Sequence, residues 1–143
     1  MIRLEVLIAH LATAERQEVA ENLQLPKDSL QRLGKLEILE TEVASQLLNS
    51  NSPSQIYQLL QIYKPLTLIL FAARGNKNIR HLVWQYITKL SQTKPLLNGN
   101  DLKNLGFKPG KLYKQILDDV LAATLDGKVS DRASAEEYVR ENY

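Results

Sequence analysis

The stretch from Asn98 through Gly99, Asp101, Leu102, Leu105, Gly106, Phe107, Lys108, Pro109 and Gly110 to Lys111 and Lys114 has the residue types that bind phosphate. Its pattern is helix, tight glycine-bearing turn, helix. Gly106 suits a left-handed helix cap, and Gly110 removes a side chain where the next helix begins, so backbone amides there can be approached closely. The first-turn N–H groups of a helix have no internal partner, and the helix dipole makes that end positive, which favours an anion. Along the helix that follows, Lys111, Lys114, Gln115, Asp118 and Asp119 lie opposite Leu112, Tyr113, Ile116, Leu117, Val120 and Leu121. The lysines come first and the aspartates, with Asp126, come last. The dipole favours the opposite order, at about 0.3–1 kcal/mol per exposed terminal charge. Sequences break local stability rules most often at functional sites, so this helix start is a candidate phosphate site. The plainer alternative is a solvated helix with accidental charge order.

A second group surrounds Trp84. On a helix over 79–90 this residue lies off the apolar stripe, in line with Lys77, Arg80, His81 and Thr88. An aromatic among cations stacks on a base or ribose while its neighbours hold phosphates. It equally well covers a neighbouring helix or a domain outside this chain, and the sequence leaves both open. Phe107 has the same two readings, with burial against the following helix favoured. Other chemistry is scarce. There is no cysteine, which removes disulfides, thiolate metal sites and a cysteine nucleophile. His10 and His81 stand too far apart in sequence to suggest a histidine metal site. Adjacent carboxylates such as Asp118 and Asp119 point about 100° apart on a helix and do not converge on one ion.

The net charge of +2 on 143 residues conceals a strong asymmetry. Residues 1–73 carry six Lys/Arg and eight Asp/Glu, residues 74–114 carry nine against Asp101 alone, and residues 115–143 carry three against seven. The middle therefore stands at +8 between segments of −2 and −4, which suggests a polyanionic partner. The longest apolar run, 66–73, is far short of the ~20 residues of a membrane span. Glu5 and His10 interrupt the apolar start, so it does not read as a signal peptide, and cytoplasm is the expected compartment.

The elements that must position these residues are helical nearly throughout. Leu4, Leu7, Ile8 and Leu11 make one stripe, and Thr13 is placed to cap a second helix with Val19, Ala20 and Leu23 inside. After Pro26, Asp28 or Ser29 caps a third helix through Leu30, Leu33, Leu36, Leu39, Val43 and Leu47. Asn49 to Ser52 form a linker, and Ser52-Pro53-Ser54-Gln55 restarts a helix with Ile56, Leu59, Leu60 and Tyr63 inside. The run 66–73 reads as a buried helix, with a strand as the competing assignment. Ile79, Leu82, Val83, Tyr86, Ile87 and Leu90 give the cleanest stripe. A short helix near 101–105 stops at Gly106, the next runs to Asp126 and ends at Gly127, and the last begins between Asp131 and Ser134, where Ser134 with Glu137 could form a capping box. The prediction is an all-α bundle of about eight helices.

Residues 18–40 also have the apolar rhythm of a helix-turn-helix, whose second helix would offer Gln31, Arg32 and Lys35 to DNA. Asp28, Glu37 and Glu40 leave that helix roughly neutral, whereas phosphate neutralisation favours a basic one. Ordinary helix packing is the better account, with a DNA-binding protein or a structural, partner-binding module as the alternative functions.

Gly99-x-Asp101-Leu102, Leu105-Gly106-Phe107-x-Pro109-Gly110, Leu117, Leu125-Asp126-Gly127, Asp131-Arg132 and Ala135-Glu136 occur in an order and spacing that resemble the C-terminal tail of bacterial class II tRNA nucleotidyltransferases, the CCA-adding and poly(A) polymerase-like enzymes. The preceding chain is similar, more loosely, to their helical body. The resemblance implies a helical body over 1–95 and a tail over 96–143 that hold tRNA through backbone and shape. It implies no catalytic residue, metal or cofactor in this chain, because Mg²⁺ and CTP or ATP belong to a head with an Asp-x-Asp motif and to a neck, neither of which this sequence contains. tRNA and that catalytic head and neck are the partners it implies. The matching positions carried over as RNA contacts are Gly106, Pro109, Gly110, Lys111 and Lys114. Lys108 departs from the small or apolar residue of the family pattern and adds a cation there. Lys77, Arg80 and Trp84 join them from the residue chemistry alone.

Overall fold

A computed structural model describes residues 2–143. Among them all regular structure is helical: α1 (Ile2–Ala9), α2 (Thr13–Asn22), α3 (Lys27–Ile38), α4 (Ala44–Leu48), α5 (Pro53–Leu60), α6 (Pro65–Arg74), α7 (Lys77–Thr88), α8 (Gly99–Asn104), α9 (Lys111–Leu125) and α10 (Arg132–Asn142). A π-helical turn, Leu39–Val43, joins α3 to α4 in one continuous rod, and a 3₁₀ turn, Leu90–Gln92, follows α7. The all-α expectation holds. Pro53 and Pro65 sit in the first turns of α5 and α6, where a missing N–H costs nothing. The run 66–73 is helical, with Leu68, Leu70 and Phe71 buried, but Leu66 and Ile69 face outward, so α6 is buried on one side only.

Two apolar clusters form. The larger gathers Ile8, Ala20, Leu36, Leu47, Leu60, Phe71 and Val83 with their neighbours from α1 through the 3₁₀ turn. The smaller gathers Leu97, Leu102, Ile116, Val120, Val129 and Val139 from the remaining chain. α5 packs against both α7 and α9, and Leu125 of α9 reaches the larger cluster.

The first helix departs from its predicted stripe. Leu4 and Leu7 are exposed, and the inward face is Glu5, Ile8 and Ala9. Glu5 is drawn inside by polar partners. Its Oε1 accepts from Arg32 Nη2 at 2.6 Å and from Ser29 Oγ at 2.5 Å, and its Oε2 accepts from Arg32 Nε at 3.0 Å. Ser29 is thus a buried partner of Glu5 and no helix cap; Pro26 holds the cap position of α3. Similarly, α2 buries Arg16 and Ala20 while Leu23 is exposed, and Ala12, not Thr13, occupies its cap position. Glu40, in the π turn, accepts from Arg16 Nη2 at 3.3 Å and pairs with Arg74, tying α2 to the rod and to the end of α6. α10 begins between Asp131 and Ser134 as expected, but its capping box is made by Asp131 and Ser134 in place of Ser134 and Glu137.

Candidate nucleic-acid interface

The turn between α8 and α9 is fixed by its own residues. Asn98 caps α8 while the Asp101 carboxylate takes the Asn98 N–H at 2.8 Å, closing a capping box. The other Asp101 oxygen accepts from Arg132 Nη2 at 2.5 Å, which ties α8 to α10. Asp101 is therefore a structural residue, buried at the helix start. Gly106 ends α8 with φ +94°, in the left-handed region where a side chain is strained. Phe107 is half-buried against the smaller cluster, and its carbonyl accepts the Tyr113 hydroxyl at 2.9 Å. The turn is thereby pinned to the first turn of α9.

Around this rigid turn Lys108, Pro109, Gly110, Lys111 and Lys114 are exposed, and among the described residues no carboxylate pairs with any of the three lysines. Gly110 stands at the cap position of α9, which no side chain caps. Its φ of 168° is extended backbone that any residue adopts, and a Cβ there would meet no atom within 4 Å. Nothing within the chain requires glycine at this position.

The second group lies on α7. Lys77, Arg80, Trp84 and Thr88 are all exposed, with Trp84 at 65%. Trp84 therefore covers no neighbouring helix here. Neither Lys77 nor Arg80 has an ion-pair partner among the described residues. Each group is brought together by its own element. Between them stands α5, which packs on both α7 and α9.

The reversed charge order on α9 has a partial structural explanation. Asp126, just past the end of α9, turns its carboxylate to α5, where Ser54 N donates to Oδ1 at 2.9 Å and Ser54 Oγ to Oδ2 at 2.8 Å. A carboxylate unfavourable at one helix end thus serves the N-terminus of another. Asp119 accepts from the Tyr143 hydroxyl, and that hydrogen bond pushes the tyrosine pKa up to about 12. The sequence signal for the Ser54–Asp126 contact was the misplaced acid itself, but the partner, 72 positions away, was not legible.

The helix-turn-helix look-alike is presented only in part, with Gln31 and Lys35 exposed. α3 lies against α1, α2 and α6, and Arg32, one of the three residues it would offer to DNA, is held by Glu5. Among the described residues no three His, Asp or Glu side chains gather to hold a metal ion, and no single helix is long and apolar enough to cross a membrane.

Sequence comparison relates the chain to two bacterial enzymes. Over 135 residues, 94% of this chain and 28% of the relative, it is 26% identical to an A-adding tRNA nucleotidyltransferase of Halalkalibacterium halodurans. Over 80 residues, 55% of this chain and 9% of the relative, it is 36% identical to an A-adding tRNA nucleotidyltransferase of Geobacter sulfurreducens. The matched region is less than a third of either relative's length. No family model and no solved structure matches the chain.

Proposed function

We propose that this chain is a non-catalytic, tRNA-holding portion of an A-adding tRNA nucleotidyltransferase, with a helical body over 1–95 and a tail over 96–143. The observation that carries the reading is the similarity to such an enzyme across 94% of the chain. The division into body and tail is supported by the two separate apolar clusters. The basic middle of the chain indicates where RNA would lie: Lys108, Lys111 and Lys114 take backbone phosphates beside the uncapped start of α9, and Lys77 and Arg80 do so on α7. Trp84, exposed between these cations and the solvent, stacks on a base or ribose. Mg²⁺, the nucleotide and the chemistry belong to a head and neck elsewhere in the parent enzyme, and these and tRNA are the partners.

The test is anisotropy with tRNA and with length-matched duplex DNA across a salt series. Neutralising about 4–6 phosphates gives a steep negative slope of log affinity against log salt. Folded tRNA is expected to bind more tightly than the duplex. The Lys111→Glu/Lys114→Glu double variant should bind tRNA at least about tenfold more weakly, with the slope reduced by about 2. Equal binding by the double variant and its parent would remove the α9 turn from the interface, and no tRNA binding by the parent would overturn the whole reading.

A further inference from the structure

Beside the proposed phosphate contacts, the walls of α5 and α9 enclose a cleft of about 340 Å³, at the small end of the ~300–1,000 Å³ typical of ligand sites. Gln58 comes from α5 and Gln61 from just past its end, and Lys114 and Asp118 come from one face of α9 with Leu121 and Leu125 beyond them. The polar groups are unspent. Both glutamines are exposed without a hydrogen-bond partner among the described residues, and Lys114 and Asp118, one turn apart on a helix, do not pair. One end of the cleft is fixed, because Ser54 lines it and is clasped by Asp126 through the two hydrogen bonds described above. The result is an open, largely polar recess with two neutral amides, one cation and one carboxylate, and with Tyr57, Leu121 and Leu125 among its walls.

We propose that this cleft seats a single unstacked ribonucleotide of the bound RNA. Each class of group has a matching part. Amide side chains bond a base edge through a paired donor and acceptor. Leu121 and Leu125 take the ring, and Lys114 takes the phosphate. The Asp118 carboxylate accepts from ribose hydroxyls, a contact through which RNA is told from DNA. The inference rests on the RNA-holding reading and adds to it a site that reads a nucleotide, where the exposed lysines only neutralise the backbone.

The test uses the 143-residue chain, labelled for NMR, titrated with 5′-AMP and 5′-CMP, with their 2′-deoxy counterparts and with inorganic phosphate. The ribonucleotides should move the side-chain amide signals of Gln58 and Gln61 further than the deoxynucleotides do, and phosphate alone should leave them in place. Gln58→Ala/Gln61→Ala, at exposed positions, should abolish the ribonucleotide-induced shifts of the Lys114 and Asp118 backbone amides seen in the unsubstituted chain and weaken tRNA binding by about tenfold. Its salt slope should be unchanged, since neutral groups release no counterions. Shifts no larger with ribonucleotides than with phosphate, or full tRNA affinity in the double variant, would overturn the site while leaving the RNA-holding reading intact. A chain that takes ribonucleotides in the cleft but binds no tRNA would overturn that reading alone.

Discussion

Glu5 shows how one side chain sets the face of a helix. Its carboxylate is buried, and two of the bonds it accepts come from the Arg32 guanidinium. The hydrogen bond from Arg32 holds its pKa below the ordinary 4.5, against the opposing effect of burial, and the same bond raises the arginine. Because the folded value lies below the unfolded one, the pair's contribution is fully present above about pH 4.5 and is lost as pH falls through the folded value. Glu5→Gln, which leaves the partly buried Arg32 guanidinium facing a neutral amide, should cost about 1–3 kcal/mol at neutral pH. Urea unfolding followed from about pH 7 to pH 3 should show the parent losing stability in acid while the variant, already lacking the ion pair, changes less. Parallel pH profiles for the two proteins would show that Glu5 is not the group responsible. Apolar periodicity cannot reveal such a residue. It counts leucines, and in this helix Leu4 and Leu7 are left outside because an ion pair outcompetes them for the interior.

At the scale of the element, the turn between α8 and α9 separates glycine as geometry from glycine as access. Gly106 has φ +94°, so Gly106→Ala should destabilise the fold by about 1–2 kcal/mol through left-handed strain. Gly110 has extended backbone and open space at its Cβ, so Gly110→Ala should cost no more than the roughly 1 kcal/mol by which a cap position prefers glycine to alanine. If RNA phosphate approaches the amides that Gly110 leaves open, that variant should lose tRNA affinity with no larger loss of stability than that. Loss of stability without loss of binding would make the glycine structural instead. This region was the most legible part of the sequence, since glycine, proline and cap residues act locally: Gly106 and Gly127, both at positive φ, end their helices as expected. The π turn and the Arg16–Glu40–Arg74 cluster were not legible, because their members are far apart in the chain and meet only when α2, α6 and the long rod pack. The same limit applies to the candidate interface. Its lysines and Trp84 stand out by type, whereas the glutamines of the α5/α9 cleft gain meaning only from the helix facing them.

Across the whole molecule, the two apolar clusters are linked through α5 and α9, and Asp126 is the polar fastening between them. Its carboxylate reaches out of the smaller unit to the first turn of α5, where it does the work of a capping side chain; Ser52, at the cap position itself, makes no such bond. Removing a helix-capping acceptor costs about 0.5–2 kcal/mol, and here the loss should not fall evenly. Asp126→Ala removes both bonds to Ser54 but leaves the interior of each cluster intact. Native-state hydrogen exchange should therefore show faster opening of α8 to α10 and of the first turn of α5, with the amides of α3 and α7 protected as before, since local stability follows local contacts. The same variant should loosen the cleft that the clasp holds at one end and weaken tRNA binding without altering any cation. Uniformly faster exchange throughout the chain would mean that the two clusters open as one cooperative unit, and that Asp126 stabilises the molecule as a whole rather than the position of one part on the other.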